Sequence, residues 1–264
     1  MSDSIHFLSN YHLSLFQWVL VVIASIIIGM SKAGIGSISI VSVSIWAWIF
    51  GSRVSTGMVL PMLIMADVLA VYYYKRHAIW SHLFKLIPWI AAGVLLAAWC
   101  GHMINDFVFK RLMAAIILIS LGALIWWEKK PAVIHMNQAV ANGIQNKLFA
   151  ATMGLATGFT SMIGNLAGGF SNVYFISTRV MKDNFIGTVA WMFFLLNLFK
   201  LPFHIFLWKT VSPSTISLNL ALIPGIVFGF WLGVKIVKNL NEKGFKNLIL
   251  WLTTISSLLV LLDL

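Results

Sequence analysis

Two glycine-rich segments carry the side chains in this sequence that are best suited to bind a charged ligand. The segment at 29–37 reads Gly-Met-Ser-Lys-Ala-Gly-Ile-Gly-Ser, and the segment at 158–169 reads Gly-Phe-Thr-Ser-Met-Ile-Gly-Asn-Leu-Ala-Gly-Gly. Each interrupts a hydrophobic run that could otherwise cross a bilayer. Glycines let backbone N–H groups approach a ligand closely, and the N-terminus of a helix attracts anions. We therefore predict that the two segments together form the binding centre.

Lys32 is the central residue of the first segment. A lysine deep in a membrane span costs about 2.5–3.5 kcal/mol on insertion scales, so it is by default a functional hypothesis. Ser31 and Ser37 add hydroxyl groups, and Gly34 and Gly36 expose backbone, which together suit a sulfonate or carboxylate group. In the alternative interpretation, Lys32 snorkels to the cytosolic surface.

The second segment offers a matching set of polar side chains. Thr160, Ser161 and Asn165 lie within six residues of one another, with Gly164 between them. We predict Asn165 as a ligand of the substrate. The alternative for the glycine is helix packing, in which small residues simply let two helices approach closely.

Ionisable residues inside the predicted spans are candidates for charge pairing or for carrying a coupling proton. Asp67 is the only carboxylate inside a clearly predicted span, where it could carry a coupling proton or pair with Lys32 or Lys200. Its counterpart Asn197 is neutral, so such a role is confined to the first half. Lys200 and His204 lie late in their span, so we expect both to snorkel to the outer interface.

The elements that must position these residues are membrane helices. Hydrophobic residues make up 60% of the 264 residues and charged residues only 9%, against about 25% charged in a soluble domain. The mean hydropathy is +0.94. Hydrophobic runs approach or reach the roughly 17–25 residues that span a membrane; they lie at 15–30, 58–74, 86–100, 107–127, 185–203, 218–234 and 248–262. The predicted fold is an all-α polytopic integral membrane protein.

Several function classes are excluded. The net charge of +11 comes from basic residues between apolar segments, as the positive-inside rule requires, so we expect no nucleic-acid partner. A single cysteine, Cys100, cannot form an intramolecular disulfide or a thiolate metal site. The sequence has no His-Glu-x-x-His, no Gly-x-Ser-x-Gly and no phosphate-binding loop. We therefore expect neither an enzyme nor an ATP-driven pump, and no cofactor or metal.

The chain divides into two related halves, 1–127 and 148–264, joined by a polar linker at 128–147. Landmarks recur in the same order in both: Gly29 with Gly158, Gly57 with Gly187, Asp67 with Asn197, Gly93 with Gly225 and Gly101 with Gly233. We predict that each half contains a Gly-broken hairpin and three transmembrane helices. An odd number of crossings inverts the second half, as in the inverted repeats of many secondary transporters.

The basic residues predict the orientation. If each hairpin enters and leaves on one side, then the linker and most basic loops lie on a single face of the membrane. The positive-inside rule makes this face cytosolic and places both termini outside.

The sequence resembles the sulfite exporter TauE/SafE family, also called the 4-toluene sulfonate uptake permease family. The resemblance spans nearly the whole chain and is carried by residues 31–34, 66–68, 73–76, 165–168, 182, 187–194 and 197–202. It implies transport of small organic or sulfur-containing anions across the inner membrane. Because Lys200 resembles a recurring position of the family, the resemblance also makes it a further anion-attracting candidate.

These observations together predict a secondary carrier for a small anion, which binds near the midplane between the two Gly-rich segments. According to the resemblance, the anion is sulfur-containing, of the sulfite, sulfonate or sulfoacetate type. The alternatives are an anion channel and a membrane subunit that does not transport. The expected partners are the anion and the lipid bilayer, with proton coupling and homo-oligomer formation left open.

Overall fold

The structure is a computed structural model that describes residues 13–109, 111, 112, 115, 147–177, 181–241 and 244. These residues form α-helices with short 3₁₀ and π segments and no strand. The helices are α1 (Leu15–Lys32), α2 (Ser39–Phe50), α3 (Ser52–Tyr74), α4 (Trp80–Met103), α5 (Lys147–Gly164), α6 (Gly168–Ser177), α7 (Lys182–Pro202), α8 (Pro213–Ala221) and α9 (Ile223–Lys238). The predicted span at 248–262, most of that at 107–127 and nearly all of the linker lie outside the described residues.

Among the described residues, four helices are long and apolar enough to cross a membrane: α1, α3, α4 and α7. A 3₁₀ turn extends α3 to His77, and a π-helical turn extends α7 to Leu207. Helices α8 and α9 meet the same criterion as a pair that bends by 51°. The predicted all-α, multi-pass membrane class is therefore confirmed.

Helix α3 begins earlier than the predicted span at 58–74. Gly51, with φ of 85°, ends the preceding helix, and α3 starts at Ser52. The polar residues at its start do not break it, because their hydroxyls bond within the helix. Ser55 donates to the carbonyl of Ser52 at 2.9 Å, and Thr56 donates to that of Arg53 at 2.7 Å.

The Gly-rich interruptions are narrower than predicted. Helix α1 continues through Lys32, so the first break comprises residues 33–35 before the 3₁₀ turn Gly36–Ile38. Helix α5 continues to Gly164, so the second break comprises only residues 165–167. Thr160 lies within this helix, and its hydroxyl donates to the carbonyl of Ala156 at 2.8 Å.

Each break reverses the direction of the chain. Helix α2 returns along α1, and the hydroxyl of Ser42 donates to the carbonyl of Ala24 at 3.0 Å. Helix α6 returns along α5, where the rings of Phe149 and Tyr174 stack with centroids 6.0 Å apart. The breaks are therefore the tips of two helical hairpins.

The first hairpin packs on α9 through glycines that allow backbone contact. A Cβ atom on Gly29 would lie 2.1 Å from the carbonyl oxygen of Ile226. In the reverse direction, a Cβ atom on Gly229 would lie 2.0 Å from the carbonyl oxygen of Ile26. No larger residue fits at either position without moving one helix, as in other close helix crossings in membranes.

The second hairpin packs on α4 in the same reciprocal way. A Cβ atom on Gly158 would lie 2.0 Å from the carbonyl oxygen of Ile90, and one on Gly93 would lie 2.2 Å from that of Leu155. The first helix of each hairpin thus contacts a helix of the other predicted half through two glycines.

The two crossings relate residues of the predicted halves. Gly29 and Gly158 occupy equivalent places in the two crossings, and so do Gly229 and Gly93. Gly229 lies one helical turn beyond Gly225, the residue that we predicted as the counterpart of Gly93. The internal repeat itself and the inverted orientation of the halves both stay predictions.

Helices α3 and α7 cross at the centre of the bundle. Helix α3 is buried without interruption from Ser55 to Leu63, and again at Asp67. Helix α7 presents Asn197 and Lys200 toward the interior, and both are buried. This crossing brings ionisable residues next to the tips of the two hairpins.

Candidate functional site

A cavity lies where the tips of both hairpins meet the α3–α7 crossing. It offers about 30 Å³ to water-sized molecules, which is room for about two waters. Its apolar wall includes Ile28, Val59 and Phe193. Its polar lining comes from both hairpins and from α7: Ser31, Lys32, Gly36, Ser39, Ser161, Asn165, Gly168 and Asn197.

Lys32 forms a buried ion pair at this cavity. Its ammonium lies 2.7 Å from a carboxylate oxygen of Asp67, and the two side chains are 9% and 0% exposed. The same ammonium lies 4.3 Å from the ring centroid of Phe193. Lys32 also ends α1, where a cation is favoured by the helix dipole. The alternative interpretation, in which Lys32 snorkels to the surface, is therefore wrong.

Asp67 also links α3 to α7. The side-chain amide of Asn197 donates to its second carboxylate oxygen at 2.6 Å, and both residues are buried. The two residues that we predicted as counterparts in the two halves thus touch each other.

Lys200 is fully buried, and our expectation that it reaches the outer interface is wrong. Its ammonium donates to the carbonyl of Ser161 at 3.1 Å, to the hydroxyl of Ser161 at 3.0 Å and to the side-chain oxygen of Asn165 at 2.7 Å. The last turn of α5 and the second break together supply these acceptors. Lys200 does not line the cavity but lies directly behind two residues that do.

Asn165 is held in place by its backbone and by its side chain. It adopts the left-handed conformation with φ of 56°, and its N–H donates to the carbonyl of Ser161 at 2.9 Å, which caps α5. Its side-chain N–H donates to the carbonyl of Thr56 on α3 at 3.0 Å, while its oxygen accepts from Lys200. Asparagine is one of the few residues besides glycine that adopt this conformation readily.

Two helix N-termini also meet at the cavity. The 3₁₀ turn that leads into α2 begins at Gly36, and α6 begins at Gly168. A Cβ atom on Gly168 would lie 3.9 Å from the carbonyl oxygen of Gly36, so the two ends are close. The first N–H groups of a helix have no partner inside it and favour negative charge.

Other predicted site residues lie away from the cavity lining. Gly34 has φ of 120° and faces the side chain of Ile186. Thr160 bonds within its own helix, and Gly164 is buried at the end of α5. The side chain of Ser37 lies outside the described part of the structure.

The sequence interpretation did not identify Phe193 or the backbone carbonyl of Thr56. Phe193 precedes Asn197 by one turn of α7, so the shared helix face was a usable signal. The carbonyl group had no such signal, because any residue type could supply it.

The charges of the site do not balance among the described residues. Lys32 and Lys200 are two basic side chains, and Asp67 is the one carboxylate buried with them. In a medium of low dielectric constant an uncompensated charge is costly, so such a site gains from binding an anion.

His204 was also expected to reach the outer interface, and this is wrong as well. It is fully buried one turn beyond Lys200 on the same helix. The helical segment continues past Lys200 through the π turn to Leu207, and His204 lies within that turn.

Comparison with known proteins identifies the family. The sequence model of the family described as "Sulfite exporter TauE/SafE" matches residues 21–260. Neither the curated proteins nor the solved structures gave a significant match. Members of this family are membrane transporters of the sulfite or anion exporter type. Because the match covers nearly the whole sequence, the chain belongs to the sulfite exporter TauE/SafE family.

Proposed function

We propose that this protein is a secondary carrier for a small sulfur-containing anion of the sulfite, sulfonate or sulfoacetate type. The anion binds in the cavity between the two hairpin tips, near the midplane of the membrane. Lys32 contacts it directly, and Ser31, Ser161 and Asn165 donate or orient hydrogen bonds. Lys200 acts from behind these residues.

The excess of positive charge carries this proposal. The ion pair of Lys32 with Asp67 is neutral, whereas the acceptors around Lys200 are an amide, a hydroxyl and a carbonyl. These neutral groups satisfy its hydrogen bonds but not its charge. A bound anion supplies the missing charge, and the N-termini of α2 and α6 favour it further.

The dimensions of the cavity support a small substrate. A volume near 30 Å³ matches a compact oxyanion group better than an aromatic sulfonate. An aromatic substrate would require the hairpin tips to separate. We therefore place sulfite and short sulfonates ahead of toluenesulfonate as substrates.

The test is thermal unfolding of the detergent-purified protein in the presence of sulfite, sulfate, thiosulfate, taurine, sulfoacetate or toluenesulfonate. A ligand at about 100 times its Kd stabilises the folded state by about 2.7 kcal/mol. The informative variant is Lys200→Met, which removes the uncompensated cation and keeps the Lys32–Asp67 pair. Lys85→Met, at an exposed position of α4, is the matched control.

We expect at least one compact anion to raise the Tm of the wild type and of Lys85→Met, but not of Lys200→Met. An equal shift in all three proteins would overturn the site. No shift with any anion, together with no saturable flux in proteoliposomes, would overturn the function.

A further inference from the structure

A second polar cluster lies one turn beyond Lys200, around His204. This histidine is fully buried in the π-helical segment Phe203–Leu207. Segments of π-helix occur mainly as short insertions, frequently at functional sites. Asn197, Lys200 and His204 are spaced three and four residues apart, so they follow one face of the helix.

Thr210 contacts His204 through both its backbone and its side chain. After the π turn, Lys209 takes a left-handed conformation with φ of 52° and turns the chain back. The backbone N–H of Thr210 then donates to the carbonyl of His204 at 2.9 Å, and its hydroxyl lies 2.9 Å from Nδ1. On α3, Gly57 leaves room for this contact, because a Cβ atom there would lie 2.1 Å from the hydroxyl oxygen of Thr210.

The other ring nitrogen, Nε2, is buried and has no hydrogen-bond partner among the described residues. The indole of Trp208 packs edge-on against the imidazole, with centroids 5.1 Å apart, and donates to the carbonyl of Ala98 on α4. A buried polar atom without a partner is unfavourable, so the retention of Nε2 in this position calls for an explanation.

Few charges surround this ring. On the same helix, Lys200 precedes His204 by four residues. On α3, Arg53 lies one turn before Gly57 and pairs with Asp106. The residues of α4 at this level, Ala98 and Gly101, are uncharged.

We propose that His204 is a proton-binding site whose occupancy is coupled to the occupancy of the anion site beside Lys200. The proposal rests on the proposed function. In the tautomer in which Nδ1 donates to Thr210, Nε2 keeps a free lone pair. A proton from water adds to this lone pair and forms an imidazolium ion, so the site gains one positive charge as the anion brings negative charge.

The coupling follows from Coulomb's law. Without the anion, a proton on His204 meets the uncompensated ammonium of Lys200 in a low-dielectric interior. With the anion bound, that repulsion is offset. Each ligand therefore tightens the binding of the other by the same factor, because coupling free energies are reciprocal. A carrier with this property moves the anion together with a proton.

The experiment measures the Kd of methanesulfonate and of sulfate at several pH values between about 5.5 and 8, where the charge of both probes is constant. One coupled proton makes binding tighter by up to about tenfold for each pH unit by which the pH falls. We compare the wild type with His204→Asn, which keeps a polar group near Thr210 but cannot titrate. His102→Asn, at an exposed position of α4, is the control.

We expect the pH dependence in the wild type and His102→Asn, and its loss in His204→Asn. Persistence of the same dependence in His204→Asn overturns the proposal while the anion site stands. If neither probe binds the wild type at any pH, this inference is overturned, and the anion screen and flux assay described above decide separately whether the proposed function stands.

A second measurement uses only the wild type, so it does not depend on whether a variant folds. Calorimetric titration of the wild type in buffers of different ionisation enthalpy counts the protons taken up with each anion. An uptake near one proton at the acidic end supports the proposal. An uptake of zero throughout the pH range overturns it.

Discussion

The ammonium of Lys32 lies 2.7 Å from the carboxylate of Asp67, so the tip of the first hairpin is tied to the centre of α3 by a buried ion pair. This pair leaves Lys200 as a cation without a carboxylate in salt-bridge contact in the described structure. The site thus contains one lysine, Lys32, whose charge is neutralised by a carboxylate, and one, Lys200, whose charge is not. Removal of Lys32 and removal of Lys200 should therefore have different effects.

Breaking the Lys32–Asp67 pair should destabilise the fold more than removing it entirely. Lys32→Met leaves a buried carboxylate unpaired, and Asp67→Asn leaves a buried ammonium unpaired. We expect each to cost about 3–5 kcal/mol, because an isolated charge in the interior is strongly unfavourable. The double variant should recover most of this loss. The check is thermal unfolding of all four proteins, and losses that simply add up would contradict a direct pair.

Converting Asn165 to aspartate should inactivate the anion site without unfolding the protein. The new carboxylate would take the place of an oxygen that already lies 2.7 Å from the ammonium of Lys200. It would supply the missing charge internally, so added anions should no longer raise the Tm.

The control for this change is Asn165→Gly. Glycine adopts the left-handed conformation without strain and adds no charge. Some stabilisation by anions should therefore remain in this variant. If Asn165→Asp responded to anions as strongly as the wild type, then Lys200 would not be the source of affinity.

Substitution of glycine by alanine should lower stability at some positions of the hairpins and leave it unchanged at others. Gly29→Ala and Gly158→Ala each drive a Cβ atom to within 2.1 Å or less of a backbone oxygen on the neighbouring helix. We expect each to lower stability by about 1–3 kcal/mol or more, as in other overpacked interfaces. Gly36→Ala has open space around its new atom and should stay within about 0.5 kcal/mol. Equal losses at all three positions would contradict these helix contacts.

The predicted orientation can be tested with single cysteines in a Cys100→Ser background. Arg76→Cys and Lys238→Cys lie at one end of the bundle, and His102→Cys lies at the other, all exposed. A thiol reagent that cannot cross membranes should label His102→Cys on intact cells. It should label the other two only after permeabilisation. The opposite pattern would invert the topology.

Much of the candidate site could be predicted because its signals are local. A lysine and a carboxylate inside hydrophobic runs stand out by residue type alone, and Lys32 and Asp67 were found in this way. The two Gly-rich breaks were found for the same reason. Their ends could not be fixed, because hydroxyls such as that of Thr160 bond to their own helix, and the sequence does not show this.

The depth of Lys200 could not be predicted from the hydrophobic run at 185–203. That run places the lysine near its end, but the helical segment continues through a π turn to Leu207. The acceptors of Lys200 lie 35 and 39 residues away along the chain. Its burial is thus decided by tertiary contacts that no local pattern encodes.

The glycine pairing shows a different limit of the sequence. Helix α9 has glycines at 225, 229 and 233, each one turn from the next. All three fit a repeat based on small residues, so sequence order alone cannot choose among them. The contacts with Ile26 and Ile90 choose the register.

The backbone contacts at Gly29 with Gly229, and at Gly93 with Gly158, also bear on how the transporter moves. Helices that touch along their backbones have no side chains between them that could change rotamer and let one slide past the other. We therefore expect α1 with α9, and α4 with α5, to move as rigid bodies during the transport cycle. Relative movement would then occur at the α3–α7 crossing, where Asp67 and Asn197 meet through side chains alone. Opening and closing of the cavity would then change the hydrogen bond between Asn197 and Asp67 at this crossing.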